Sequence, residues 1–323
     1  MDIRFYDFDF NLLYILPSFA VDTGYISVNA QQDFNSSGSL EILFSDNELK
    51  KIIEQHKDNI LVVWKGFQGF LTSYRWDKDS RLTGMHLNGL LHRAVIPKTI
   101  TELTGDVETL ARSAVSSNIP WLCLGEVKGF SSEVKYSTEK YTLADEYIQN
   151  LLKLDNGGYR IKADIPNKKY IFECIKPEKN PLMLSEGNLN AYDFEITYIN
   201  KEKAFGGWYE KEQPEDSEGN RPDPVWTYIT LDSSKAGIDK IDTVLSAKTE
   251  NEAVNELKQK KAEYEILAKT KDIECAKDYE IGDILRVQTG GITVYKLADG
   301  VKMWNERGYG EQPVLKEWED ENV

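Results

Sequence analysis

Strand-forming runs at both ends of the chain, separated by two amphipathic helices, constrain this sequence more than any other feature. YISVNAQQDF (25–34), SLEILF (39–44), ILVVW (60–64), FQGFLTSYRW (67–76) and RLTG (81–84) are rich in β-branched and aromatic residues. Asn35-Ser-Ser-Gly38 and Asp77-Lys-Asp-Ser80 are hairpin-type connectors between them. Ser45-Asp-Asn-Glu48 fits a capping box ahead of Leu49, Ile52 and Ile53, which predicts one short helix among the strands. Leu87, Leu90 and Leu91 share a helical face after Gly84, and Pro97 ends that pattern.

The middle of the chain changes period. Val107, Leu110, Ala111, Ala114 and Val115 predict a helix over 106–116, ended by Pro120. A second helix over 143–153 carries Ala144, Tyr147, Ile148, Leu151 and Leu152 on one face, with Thr142-x-x-Asp145 as its cap and Asn156-Gly157-Gly158 as its stop. Two strands follow, YRIKADI (159–165) and KYIFECI (169–175). Strand signals then return. YDFEITYI (192–199) alternates as a half-buried strand does, and VWTYITL (225–231), GDILRVQ (282–288) and GITVYKL (291–297) continue the series. Residues 209–223 hold six acids, two bases and two prolines, which predicts an exposed loop. Thr249-x-x-Glu252 opens a helix over about 250–264, with acids first and Lys258, Lys260 and Lys261 last, as the helix dipole prefers. The expected division is 1–100, 101–185 and 186–323, since 323 residues exceed what one core usually serves.

Charge excludes one class of function. The chain has 54 acidic and 39 basic residues, a net charge of −15, whereas proteins that grip nucleic acid present a basic face. No apolar run approaches the ~18 residues of a membrane span, and the acidic start MDIRFYDFDF is not that of a signal peptide. Cys123, Cys174 and Cys275 are far apart with no C-x-x-C, the pattern of buried reduced thiols. His86 and His92 are six apart and His56 is remote, so no metal site is expected. Asp7-Phe-Asp9-Phe-Asn11 imitates a calcium loop, but Leu12 and Ser18 stand where its glycine and bidentate glutamate belong. The sequence therefore assigns no catalytic residue, no metal and no cofactor. One place could hold a sugar. Trp208-Tyr209-Glu210 and Trp226-x-Tyr228 set aromatic rings beside acids, although Trp226 and Tyr228 also read as core residues of one strand.

The order of these segments resembles the phage tail hub family, the baseplate hub and tail-tip proteins of phages, prophages and phage-derived injection machines. FNSSGSLEILF (34–44), with Gly38, is similar to the hairpin at the head of the family's first barrel. GFLTSYRWDKDSRLTGMHLNGLLHRAVIP (69–97) matches its strand pair, glycine turn and leucine-rich helix through Gly84, Leu87, Leu90, Leu91 and Arg93. The helix pair 106–116 and 143–153 resembles the middle domain, and Gly282-Asp283 the start of a later strand. The resemblance implies a β-rich α+β fold. Its two tail-tube-like β-barrel domains, 1–100 and 186–323, are joined by a small α/β domain, 101–185. It also implies a homotrimeric, non-enzymatic ring in the virion tail. The ring adapts a sixfold tail tube or distal tail protein to a spike or tip protein, touches the tape-measure protein, and lets DNA pass without specific binding. Such a protein is made in the host cytoplasm. The rival reading is a tail-associated cell-wall hydrolase or carbohydrate-binding module using Glu210, Glu212 and the neighbouring aromatics. Leu90, Leu91 and Ile284 should act through packing, and Gly84 and Gly282 through turn geometry.

Overall fold

Along Ser39–Phe44 the side chains of Leu40, Ile42 and Phe44 are buried while their neighbours are not, so this segment must be a strand with one face on a core. The same period builds most of a large sheet. In the computed structural model, which describes residues 2–18, 24–57, 59–76, 80–99, 102–138, 140–199, 203–211, 213, 223–260, 263–306 and 308–318, the chain opens with seven strands. They are β1 (Ile3–Asp7), β2 (Leu12–Leu16), β3 (Tyr25–Asp33), β4 (Ser39–Phe44), β5 (Ile60–Trp64), β6 (Phe67–Arg75) and β7 (Ser80–His86). Helix α1 (Asn47–His56) lies between β4 and β5. Asp46 caps it, accepting from the Glu48 and Leu49 N–H groups, one residue later than the serine expected. The connector at 77–79 lies outside the described residues.

The leucine-rich helix forms as a 3₁₀ segment, Leu87–Arg93. Short strands β8 (Val95–Ile96) and β9 (Leu103–Asp106) lead to α2 (Val107–Asn118), which Asp106 caps at the Thr109 N–H. Then come β10 (Leu122–Leu124), β11 (Glu133–Tyr136), β12 (Thr142–Leu143), α3 (Ala144–Lys153), β13 (Gly158–Asp164) and β14 (Lys169–Ile175). Thr142 belongs to β12 and does not cap α3, whose N-cap Leu143 makes no side-chain bond. β10, β14 and β13 form a three-stranded sheet, and α2, α3 and the 3₁₀ segment share one core with it. Tyr6, Leu61 and Phe70 of the large sheet enter the same core, so this α/β layer packs on that sheet's outer face.

The rest of the chain is β15 (Glu178–Ser185), β16 (Ala191–Ile199), β17 (Gly206–Lys211), β18 (Val225–Thr230), β19 (Asp242–Val244), α4 (Glu250–Gln259), β20 (Glu263–Thr270), β21 (Asp283–Thr289), β22 (Ile292–Asn305) and β23 (Tyr309–Glu317). The division of the chain differs from the three consecutive spans expected. Residues 1–192 and 269–323 form one unit, and 193–268 form the other. β22 is the cause. Its first half pairs with β21 and its second half, after a bulge between Ala298 and Gly300, pairs with β3. The large sheet thus runs β15-β21-β22-β3-β4-β7-β6-β5-β1-β2, with β23 also on β22.

This sheet curls. Val28, Ile42, Val62, Trp64, Leu82, Val301 and Met303, from strands far apart in that order, share one core with Leu49 and Ile53 of α1. The curl brings β23 to β5. The Trp64 and Tyr309 rings lie 6.0 Å apart, and Lys65 Nζ sits 3.4 Å from the Tyr309 ring and 3.6 Å from Glu311. Contrary to the expected barrel, no sheet closes among the described residues. Both edges of β5 are taken, by β1 and β6, so β23 meets it through side chains and not through a ladder.

In the second unit β18, β17 and β19 form a sheet backed by α4, with Tyr209, Leu245, Ala253 and Leu257 buried between them. Thr249 and Glu252 make the predicted capping box. The helix stops at Gln259, and β20 occupies the end of the span expected to be helical. β16 pairs with β20, and its Tyr192, Ile196 and Tyr198 are exposed, not half-buried as their alternation suggested.

Candidate functional site

The loop between β3 and β4 organises the first unit. The N–H of Phe34 donates to Asp299 O at 2.6 Å, and its carbonyl accepts from the Tyr159 N–H at 3.2 Å, so one residue ties β22 to β13. The buried Phe34 ring lies against two glycines. A Cβ on Gly158 would fall 2.5 Å from Phe34 O. One on Gly282 would fall 2.5 Å from Ile175 and 3.0 Å from the Phe34 ring. Gly282 also has φ +99° and Gly38 has φ +55°, conformations that disfavour a side chain.

Asn88, fully buried in the 3₁₀ segment, completes the junction. Its Nδ2 donates to Ser36 O (2.9 Å) and Tyr159 O (3.2 Å), and its Oδ1 accepts from the Ile161 N–H (2.8 Å). The His86 N–H donates to Ser37 O at 2.7 Å. Its ring Nδ1 accepts from the Asn88 N–H at 3.2 Å. Burial, helped by the charge of Arg160, pushes the His86 pKa down to about 3, which keeps the ring neutral as an acceptor.

Six of the eight residues picked out by sequence fall on or beside this junction. Gly38 and Gly282 bound it, and Leu87, Leu90 and Leu91 are buried beneath it. Asp283 opens β21, its Oδ2 accepting from Asn180 Nδ2 (2.6 Å) and the Glu280 N–H (2.9 Å), which ties β15 to β21. The other two differ. Gly84 makes no turn; it sits inside β7, where a Cβ would lie 2.3 Å from Phe70 O, so it permits close approach of β6. Arg93 is exposed, with its guanidinium 5.2 Å and 4.9 Å from the Phe8 and Phe70 rings. Sequence reasoning passes over Phe34 and Asn88 and takes Gly158 only as part of a helix stop. An asparagine inside a leucine-rich helical run was the one local signal.

The remaining candidates hold structural positions. Asp7 accepts from the N–H groups of Asp9 (3.0 Å) and Asn11 (2.8 Å) and closes the β1–β2 turn. His92 Nδ1 lies 2.9 Å from Asp145 Oδ2 at the surface. All three cysteines are free. Burial pushes the Cys174 and Cys275 thiols up to about 12, away from the nucleophilic thiolate, whereas Cys123 is exposed and not buried as expected.

The aromatic–acid segment forms the open face of the β17–β18–β19 sheet. Trp208 stands opposite Tyr228, with ring centroids 5.1 Å apart, and Glu210 stands opposite Trp226. Trp226 is 51% exposed and so is not a core residue. Glu210 pairs with Lys248 at 3.2 Å. Tyr209–Lys211 belong to β17, so the expected loop begins later than 209; Glu212 and 214–222 lie outside the described residues.

No family model matches the chain, and no curated protein matches it. Solved structures do. The 43 kDa tail protein of prophage MuSo2 from Shewanella oneidensis matches over 98% of both chains with a TM-score of 0.59 and 11% identity. A tail protein from Neisseria meningitidis matches over 98% of this chain and 96% of its own, at TM-score 0.58 and 12% identity. Prophage tail protein gp18 from Listeria monocytogenes matches over 98% and 94%, at 0.55 and 16%. With two layers locked at the Phe34 junction and a curled sheet that gathers both chain ends, this chain has the fold of the prophage tail proteins.

Proposed function

We propose that this chain is a non-enzymatic hub subunit of a phage-like tail. The observation that carries the reading is a fold shared with a prophage tail protein over 98% of both chains. In this reading three copies form a ring in the tail. The ring joins a sixfold tube or distal tail protein to a spike or tip protein, with the tape-measure protein and then DNA passing through its lumen.

Sheet edges support an assembled state. At the described ends of the large sheet β15 carries Lys179 and Pro181, and the outer strand β23 carries Pro313 and Lys316, the residues that blunt an edge. β2 reads LLYIL, with no proline and no charge, and Leu12 is 52% exposed. A bare apolar edge of this kind is suited to pairing with another chain.

The test is light scattering on the protein alone and with its tail-tube partner. A trimer has a mass of about 111 kDa, three times 37.0 kDa. Leu12→Lys should leave the circular dichroism spectrum unchanged and hold the protein at the monomer mass. A stable dimer, a monomer under both conditions, or a trimer that tolerates Leu12→Lys overturns the ring.

A further inference from the structure

We propose that the open face of the β17–β18–β19 sheet binds a neutral glycan, a role independent of the hub reading. The face is built from alternate residues of three strands: Gly206, Trp208 and Glu210, then Trp226 and Tyr228, then Asp242 and Val244. The opposite face, through Tyr209 and Gly207, packs on α4 and Leu245. Two tryptophans thus stand in solvent, 45% and 51% exposed, on a sheet that is rigidly backed.

The central ring, Tyr228, is held in place before any ligand arrives. Tyr228 OH donates to Asp242 Oδ1 at 2.9 Å, and Lys240 Nζ sits 4.7 Å from the Tyr228 ring. Gly206 makes this possible. A Cβ there would lie 2.1 Å from the Tyr228 hydroxyl oxygen and 2.5 Å from Asp242 Oδ1. A preset platform spares the ordering cost of binding.

Charge and polarity select the occupant. The charged groups of the face pair off, Glu210 with Lys248 at 3.2 Å and Asp242 with Lys240 at 3.0 Å. A charged ligand would have to break one of these pairs, so the complementary ligand is uncharged. Carboxylates border the rings: Glu210 stands opposite Trp226, and Asp242 accepts from the Tyr228 hydroxyl. A pyranose meets both features: its C–H face stacks on a ring, while its rim of hydroxyls donates to Glu210 and Asp242.

Affinity electrophoresis through gels containing dextran, laminarin, galactomannan or hydroxyethyl cellulose tests this, with a heparin gel as the anionic contrast. The protein should be retarded in at least one neutral gel. Trp208→Ala and Trp226→Ala should each weaken that affinity about tenfold or more, corresponding to ~1.4 kcal/mol of lost stacking. Tyr228→Phe, which keeps the ring and removes its bond to Asp242, should weaken it less. Tyr141→Ala, an exposed ring in the other unit, should leave it unchanged. Thermal melts verify that each variant is folded. Absence of retardation in every neutral gel, retardation by heparin alone, or retardation that survives both tryptophan substitutions overturns the proposal. So does a Trp208→Ala protein whose only change is a smaller assembly, since the face would then be a protein interface.

Discussion

Replacing Asn88 by alanine tests whether the Phe34 junction holds the two layers of the first unit together. The side chain serves three backbone groups at 2.8–3.2 Å, and Tyr159 O and the Ile161 N–H are buried. A buried polar group left without its partner costs roughly 1–3 kcal/mol. Allowing for the partly buried Ser36 carbonyl, Asn88→Ala should cost about 3–6 kcal/mol, a large share of the ~5–15 kcal/mol that holds a typical domain together. Hydrogen exchange reads this locally. Amides of β13, Ile161 first, should exchange about 10²–10⁴-fold faster, at a factor of ten per ~1.4 kcal/mol. Asn88→Asp separates hydrogen bonding from shape. It keeps the acceptor for Ile161 but turns a carboxylate toward two carbonyl oxygens, so it should cost at least as much as alanine. A near-neutral Asn88→Asp, or a change below about 1 kcal/mol in Asn88→Ala, would refute the argument that these bonds lock the layers.

Gly282→Ala should destabilise the same unit by about 2–4 kcal/mol, because it adds a Cβ at φ +99° that lands 2.5 Å from Ile175. Gly129→Ala, at φ +75° with nothing within 4 Å, isolates the backbone term and should cost only about 1 kcal/mol; denaturant midpoints compare the two. His86 predicts an acid dependence. Its folded pKa of about 3 lies below the ordinary 6.5, so the unfolded chain takes up the proton first. The ring's contribution is therefore complete above pH 6.5 and is lost as pH falls toward 3. At 1.36 kcal/mol per unit it is at most on the order of 5 kcal/mol. His86→Gln should flatten the slope of stability against pH across that window, and an unchanged slope would show that the ring is not held neutral.

Local pattern was enough for elements whose partners are near in sequence. The strands at β13 and β14, the helices α2 and α3, and the cap of α4 are all within a residue or two of the positions their periodicity indicates. β22 defeated it. The strand signal read from sequence ends at Leu297, whereas the strand passes a bulge between Ala298 and Gly300 and continues to Asn305. Through its second half β22 joins the C-terminal strands to β3, so they belong to the first sheet and not to the separate 186–323 body that the resemblance implies. The helix expected to run to about 264 stops at Gln259, and Glu263 and Tyr264 open β20, which pairs with β16. The junction was hidden for a different reason. Asn88 reaches Ser36, 52 residues away, and Tyr159, 71 residues away, and a single sequence carries no trace of such pairings.

The net charge of −15 takes on more definite meaning once the units are known. Residues 193–268 carry 17 acids and 10 bases, a balance of 10 − 17 = −7, leaving −8 for the other 247 residues. The smaller unit therefore holds nearly half of the excess acid in under a quarter of the chain. In the proposed ring this concentration would matter, because charge acts on a polyanion passing through the lumen only within about a Debye length, ~8 Å at physiological salt. Acids spread over a large unit would be screened from a channel, whereas a dense set on one small unit would repel DNA wherever that unit faces it. The glycan platform is consistent with this division. Its own charges are paired within the face, so the excess lies elsewhere on the unit, and a neutral ligand and a repelled polyanion make no conflicting demands on the same residues.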